Sequence, residues 1–172
     1  MQPEPLPRPD LALQPLDSAS ALIFEAEHWL ITHRLNSALP GYLMVGARTA
    51  TPDLSGLSTE ALCDLGPLLA KAQTALRGLA ARRVYIGRYG HDSGWPVHFH
   101  VIPIYPWVEE LFWGDARYRA LEAFADPSME SGTDGAELTP FVWREFCERR
   151  DPPPIPGPSV AEAISQLRKL KW

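Results

Sequence analysis

The chain has 172 residues, a formal net charge of -5, 45% hydrophobic residues and 22% charged residues. That length buries a real core within the usual range of one domain, and the composition is that of a globular chain rather than a disordered one. The acidic balance argues against a surface that coats nucleic acid, which needs a basic excess to displace counterions, whereas a small phosphorylated ligand needs only a few local donors.

The opening MQPEPLPRPD carries acids and four prolines where a secretory signal would need a basic start and an apolar stretch. Residues 1–18 are therefore expected to form an extended arm with little regular structure. No segment is long and apolar enough to span a bilayer, so the expectation is a cytoplasmic protein with no membrane partner. Cys63 and Cys147 lie far apart without CxxC spacing, which indicates neither a disulfide framework nor a zinc knuckle, and both are expected as buried thiols.

From Ala21 to Ala47 the stretches ALIFEA, HWLITHRL and GYLMVGA read as strands, rich in aromatic and β-branched residues, with NSALPG turning before the third. Ser58 opens a long helix in which Leu62, Leu65, Leu69, Ala72, Leu76 and Leu79 form a stripe that would cover a sheet, although Pro67 invites a kink. RVYIGRY is the next strand, and the loop GHDSGWP leads from it into VHFHVIP, its expected neighbour. PWVEELFWGDARYRALEAF has helical character near its end, and ELTPFVWREFC reads as one more strand, at an edge or bulge because of Pro140. DPPPIPGP is a stiff spacer before a capping box at Ser159 and Glu162, which starts a short helix. The resulting organisation is α+β: a sheet of about five strands carrying a long helix over residues 19–110, and an extension of a strand and a short helix over 111–172.

Two of the five histidines stand one residue apart in His98-Phe99-His100. Side chains alternate along a strand, so both face one way, roughly 7 Å apart along the chain, while Phe99 and Val101 face the core. A hydrogen-bonded structural pair is the plainest reading. A nucleophilic one has a neutral imidazole nitrogen attacking phosphorus to give a phosphohistidine, with the second histidine bonding the phosphate or the departing oxygen. A metal site is a third, but His91, Glu109 and Glu110, the available third ligands, sit at no compelling spacing.

The run Pro96-Val97-His98-Phe99-His100-Val101-Ile102-Pro103 resembles the signature of the histidine triad (HIT) superfamily, His-x-His-x-His followed by two apolar residues and often proline. The resemblance extends back through Val84-Tyr85-Ile86-Gly87, the helix opened by GLSTEAL and the LPGYLMV strand, covering residues 20 to 105 in the family's order. It implies that the sheet is antiparallel with helices on one side, and that the protein is a homodimer that binds a nucleotide or dinucleotide and acts on the α-phosphate, with no cofactor and no obligatory metal. His98 maps to the nucleophile and His100 to the last histidine, which meets the phosphate or leaving group. The first triad position is Pro96, which offers no side-chain hydrogen bond. That departure leaves open a module that binds nucleotide and turns it over weakly or not at all.

Around this pair, His91, Asp92 or Ser93 would stand in for the missing histidine, and the loop from Gly90 to Gly94 would present backbone N–H groups to an anion or be a plain turn. Asn36 resembles the family's ribose-binding polar residue, and is also an ordinary turn former. Arg34 would reach phosphate, while Arg48 reads as coating a solvated edge. Arg144 and Glu145 read as an ion pair supporting the sheet. Trp95, Trp107 and Trp113 would stack on a base or pack in the core.

Overall fold

The computed structural model describes residues 18–89, 96–118 and 135–172. A single helical turn α1 (Ser18–Ala21) precedes β1 (Leu22–Glu25), β2 (Trp29–His33) and β3 (Leu43–Ala47). Helix α2 (Thr59–Gly78) follows, then β4 (Arg83–Gly87) and β5 (His98–Ile104). The five strands form one sheet in the order β1-β2-β3-β5-β4, each neighbouring pair antiparallel. Beyond it lie α3 (Pro106–Gly114), α4 (Gly135–Trp143) running into a wider π turn (Arg144–Glu148), and α5 (Val160–Arg168).

Alternation of side chains gives the sheet two different faces. Trp29, Ile31, Leu43, Val45 and Val101 are buried on one face, and the Trp29 indole donates to the Ala61 carbonyl of α2 at 2.8 Å. Ser58 caps α2 by accepting from the Ala61 N–H, and the helix runs through Pro67 without ending. Its buried face is Ala61, Leu68, Ala72, Ala75 and Leu76, with Leu65, Leu69 and Leu79 partly buried. The expected stripe is thus rotated at its start. Leu62 is exposed, because Ala61 takes the inward position under Trp29. Cys63 faces outward from the same turn and is exposed, which corrects the expectation of two buried thiols; Cys147 is buried.

The segment after residue 105 departs further from expectation. Helix α3 lies at the start of the PWVEELFWG stretch, where Pro106 sits at the first helical position it favours, and residues 119–124 fall outside the described span. The strand expected over ELTPFVWREFC is instead α4 and its π turn. Leu138, Phe141, Val142, Glu145, Phe146 and Cys147 are its buried residues, and the three-and-four steps from Leu138 to Phe146 fit a helix and not a strand. Glu145 does not pair with Arg144; Arg117 at 2.8 Å and Arg149 at 2.6 Å hold its carboxylate. The capping box at Ser159 and Glu162 forms as its spacing predicts. Arg48 meets Glu25 on an exposed edge, and Trp107 stacks on Tyr105 and packs against Phe146 in the core. Among the described residues no helix is long and apolar enough to cross a membrane.

The turn between β2 and β3 sets the approach to the site. Gly41 has a φ of +76°, and a Cβ placed there would fall 2.9 Å from Leu76 Cδ2. Buried His33 directs one ring nitrogen at the Arg34 carbonyl and the other at the Leu39 carbonyl, tying both ends of the turn. Left-handed backbone and lack of space act together at Gly41, so Gly41→Ala is expected to lower unfolding free energy by about 2 kcal/mol in urea denaturation. An unchanged midpoint would contradict this account of the turn.

Candidate active site

The second sheet face carries His98 and His100 side by side, their ring centroids 5.4 Å apart. Register puts Gly46 opposite His98, and Met44 and Gly87 on either side of His100. The glycines keep this strip low. At Gly87 a Cβ would collide with the Tyr89 ring at 2.6 Å from its Cζ, so the absence of a side chain lets Tyr89 fold back across the strand. Its ring then stands 5.3 Å from that of His100, and its hydroxyl lies 3.4 Å from Thr139 Oγ1 of α4.

The two imidazoles differ in surroundings. His98 is half-buried, and its Nδ1 lies 2.9 Å from the Pro96 carbonyl oxygen. A carbonyl can only accept, so Nδ1 donates and the neutral ring keeps its lone pair on Nε2. His100 is buried, with Nδ1 2.9 Å from the Tyr42 hydroxyl and 3.1 Å from Arg34 Nη1. Among the described residues neither Nε2 has a hydrogen-bond partner. Burial, then the Arg34 guanidinium and His98, push the His100 pKa down to about 4, so this ring is neutral at cellular pH.

Arg34 donates through Nε to Asn36 Oδ1 at 2.8 Å and through Nη1 to the Tyr42 hydroxyl at 3.1 Å. Its guanidinium lies 4.1 Å from the centroid of the Trp143 ring and 5.1 Å from that of Tyr42. The structure therefore brings His98, His100, Arg34 and Asn36 together. His91, Ser93 and Gly94, with Asp92 and Trp95, lie outside the described residues. Glu109, weighed as a metal ligand, is buried and bound by Arg82 at 3.2 Å and Arg83 at 3.1 Å. Among the described residues no group of three His, Cys, Asp or Glu side chains could hold a metal ion. Among the described residues Tyr42 and Tyr89 also face His100, and Trp143 covers Arg34; sequence spacing gave no signal for these three.

Residues 16–106 match the HIT domain family, more than half of the chain. The chain belongs to the HIT domain family. The matched span contains all five strands, α2 and both histidines of the site, while α4 and Trp143 of this HIT domain protein lie beyond it. Similar solved structures include a HIT-like protein involved in cell-cycle regulation from Bartonella henselae (13% identity, 86% of this chain and 84% of that one, TM-score 0.49). Another is a zinc-bound histidine triad family protein from Mycobacterium smegmatis (19%, 86% and 81%, 0.49). A third is a hypothetical histidine triad nucleotide-binding protein from Sulfolobus tokodaii (13%, 88% and 91%, 0.42). No curated protein matches the sequence.

The environment of His100 ties the HIT domain's stability to pH. An unfolded histidine titrates near 6.5 and folded His100 near 4, so between these values only the unfolded chain takes up the proton. Stability is accordingly expected to fall as pH drops from about 6.5 to about 4. In urea titrations across this window, His100→Asn should lose less stability than wild type. Equal losses in the two proteins would contradict the assignment.

Proposed function

We propose that this HIT domain protein is a nucleotide hydrolase or nucleotidyl transferase acting on the α-phosphate of a nucleotide or dinucleoside polyphosphate, with His98 as nucleophile. The observation that carries the reading is the 2.9 Å bond from His98 Nδ1 to the Pro96 carbonyl, which leaves the Nε2 lone pair for phosphorus. In the first step Nε2 forms a bond to phosphorus as the bond to the leaving oxygen breaks, and that oxygen takes a proton from solvent. In the second, water attacks phosphorus and gives up a proton to solvent, the P–N bond breaks, and the electron pair returns to Nε2 as the nucleotide departs. His100 bonds the phosphoryl or departing oxygen during both steps. His91, Ser93 and Gly94 belong to the same reading as substrate contacts, as do a homodimeric assembly and a cytoplasmic location.

Pro96 favours a second reading. A proline at the first triad position supplies no side-chain donor or acceptor, which fits a nucleotide-binding module with little or no turnover.

Incubation with diadenosine tetraphosphate, ADP and an adenosine phosphoramidate separates the two. The enzyme reading expects AMP release, with kcat lower by roughly 10³-fold or more in His98→Ala and by roughly 10²-fold in His100→Ala. Nucleotide binding by calorimetry with no AMP over long incubation would select the binding module. Equal inertness of wild type and His98→Ala on all three substrates would overturn the catalytic claim.

A further inference from the structure

We propose that Arg34 is a positioning residue that fixes His100 in its Nε2–H tautomer, and that Trp143, from beyond the matched HIT span, holds Arg34 in place. A guanidinium offers donors only. With Arg34 Nη1 3.1 Å from His100 Nδ1, that nitrogen must present its lone pair, and the ring proton goes to Nε2. Tyr42 cannot make this choice. Its hydroxyl, 2.9 Å from Nδ1, can donate or accept and would tolerate either tautomer.

The guanidinium has little freedom to turn away. Asn36 Oδ1 accepts from its Nε at 2.8 Å, the Tyr42 hydroxyl takes a hydrogen from Nη1 at 3.1 Å, and the Trp143 ring lies 4.1 Å from its central carbon. Trp143 is itself held, because its indole donates to Glu148. The turn that follows it is pinned by Arg117, Tyr118 and Arg149 on the buried Glu145 carboxylate, and by the Ala38 N–H donating to the Phe146 carbonyl at 2.7 Å. The segment after residue 106 thus reaches His100 through Arg34, and also through Thr139 beside the Tyr89 hydroxyl. Among the described residues, the groups facing the His100 ring are Arg34 from the β2–β3 turn, Tyr42 before β3, His98 on its own strand and Tyr89 after β4.

The catalytic consequence rests on the function proposed above: an Nε2–H is the donor that a phosphoryl or departing oxygen needs, and the other tautomer would offer it a lone pair. The tautomer itself does not depend on that function. Long-range proton–nitrogen-15 correlation spectra of the labelled full chain, without ligand at neutral pH, read it directly. Wild type and Tyr42→Phe should both show a bare Nδ1 and a protonated Nε2 at His100. Arg34→Met should populate both tautomers, and Trp143→Ala should shift part of the population the same way, each with an otherwise native amide spectrum. A proton on Nδ1 in wild type, a switch to Nδ1–H in Tyr42→Phe, or an unchanged tautomer in Arg34→Met would overturn the role of Arg34. An unchanged tautomer in Trp143→Ala would overturn the role of Trp143. Should Arg34→Met fail to fold, wild type and Tyr42→Phe still decide. A protein inert on nucleotides yet carrying the Nε2–H tautomer would sink the catalytic reading alone. With an active protein, Arg34→Met should lower kcat while leaving KM nearly unchanged; a rise in KM at constant kcat would make Arg34 a substrate contact instead.

Discussion

The hydrogen bond from His98 Nδ1 to the Pro96 carbonyl, 2.9 Å long, decides what the site can do. An imidazole has two nitrogens, and the one without a proton is the one that can attack. A backbone acceptor two residues back along the strand fixes that choice by geometry that every residue type supplies, proline included. Proline at position 96 has no polar side chain, yet its carbonyl orients His98.

The rest of the fold keeps that ring accessible and its neighbour committed. Antiparallel pairing sets His98 and His100 on the face away from α2, between β3 and β4, with glycines at positions 46 and 87 beside them, the second making room for Tyr89. His100 is the more enclosed of the two, and its burial beside Arg34 keeps it uncharged. The pair thus divides into a half-buried ring with its lone pair on Nε2 and a buried ring held at Nδ1. This asymmetry arises from the β2–β3 turn and α4 as much as from the strand that carries both residues.

Much of this was legible in the residues. Strand alternation placed the two histidines on one face, Ser58 and Ser159 announced their helices, and the order of elements matched a known arrangement. The failures have physical causes. Phe141, Val142 and Trp143 favour strands intrinsically, but here Phe141 packs against Phe112, Tyr118 and Phe146 and Val142 is buried while Trp143 stays exposed, a helical spacing in which packing overrides propensity. Leu62 looked like a core residue because leucine usually is, yet the shorter Ala61 sits under Trp29. Tyr42 and Trp143 reach His100 or Arg34 across 58 and 109 positions of chain, and no local spacing reports contacts of that kind. Asn36 was visible as a polar turn residue and Arg34 as a cation able to reach phosphate; that one holds the other was not.

The lone pair on His98 Nε2 is the central claim, and a covalent nucleotide on that atom is its most direct consequence. Full-length protein mixed with an adenosine phosphoramidate, quenched in alkali at short times and digested for mass spectrometry, should carry an adenylyl group on His98 that forms before free AMP accumulates. Turnover with the group on another residue, or with no adduct at any quench time, would contradict the account.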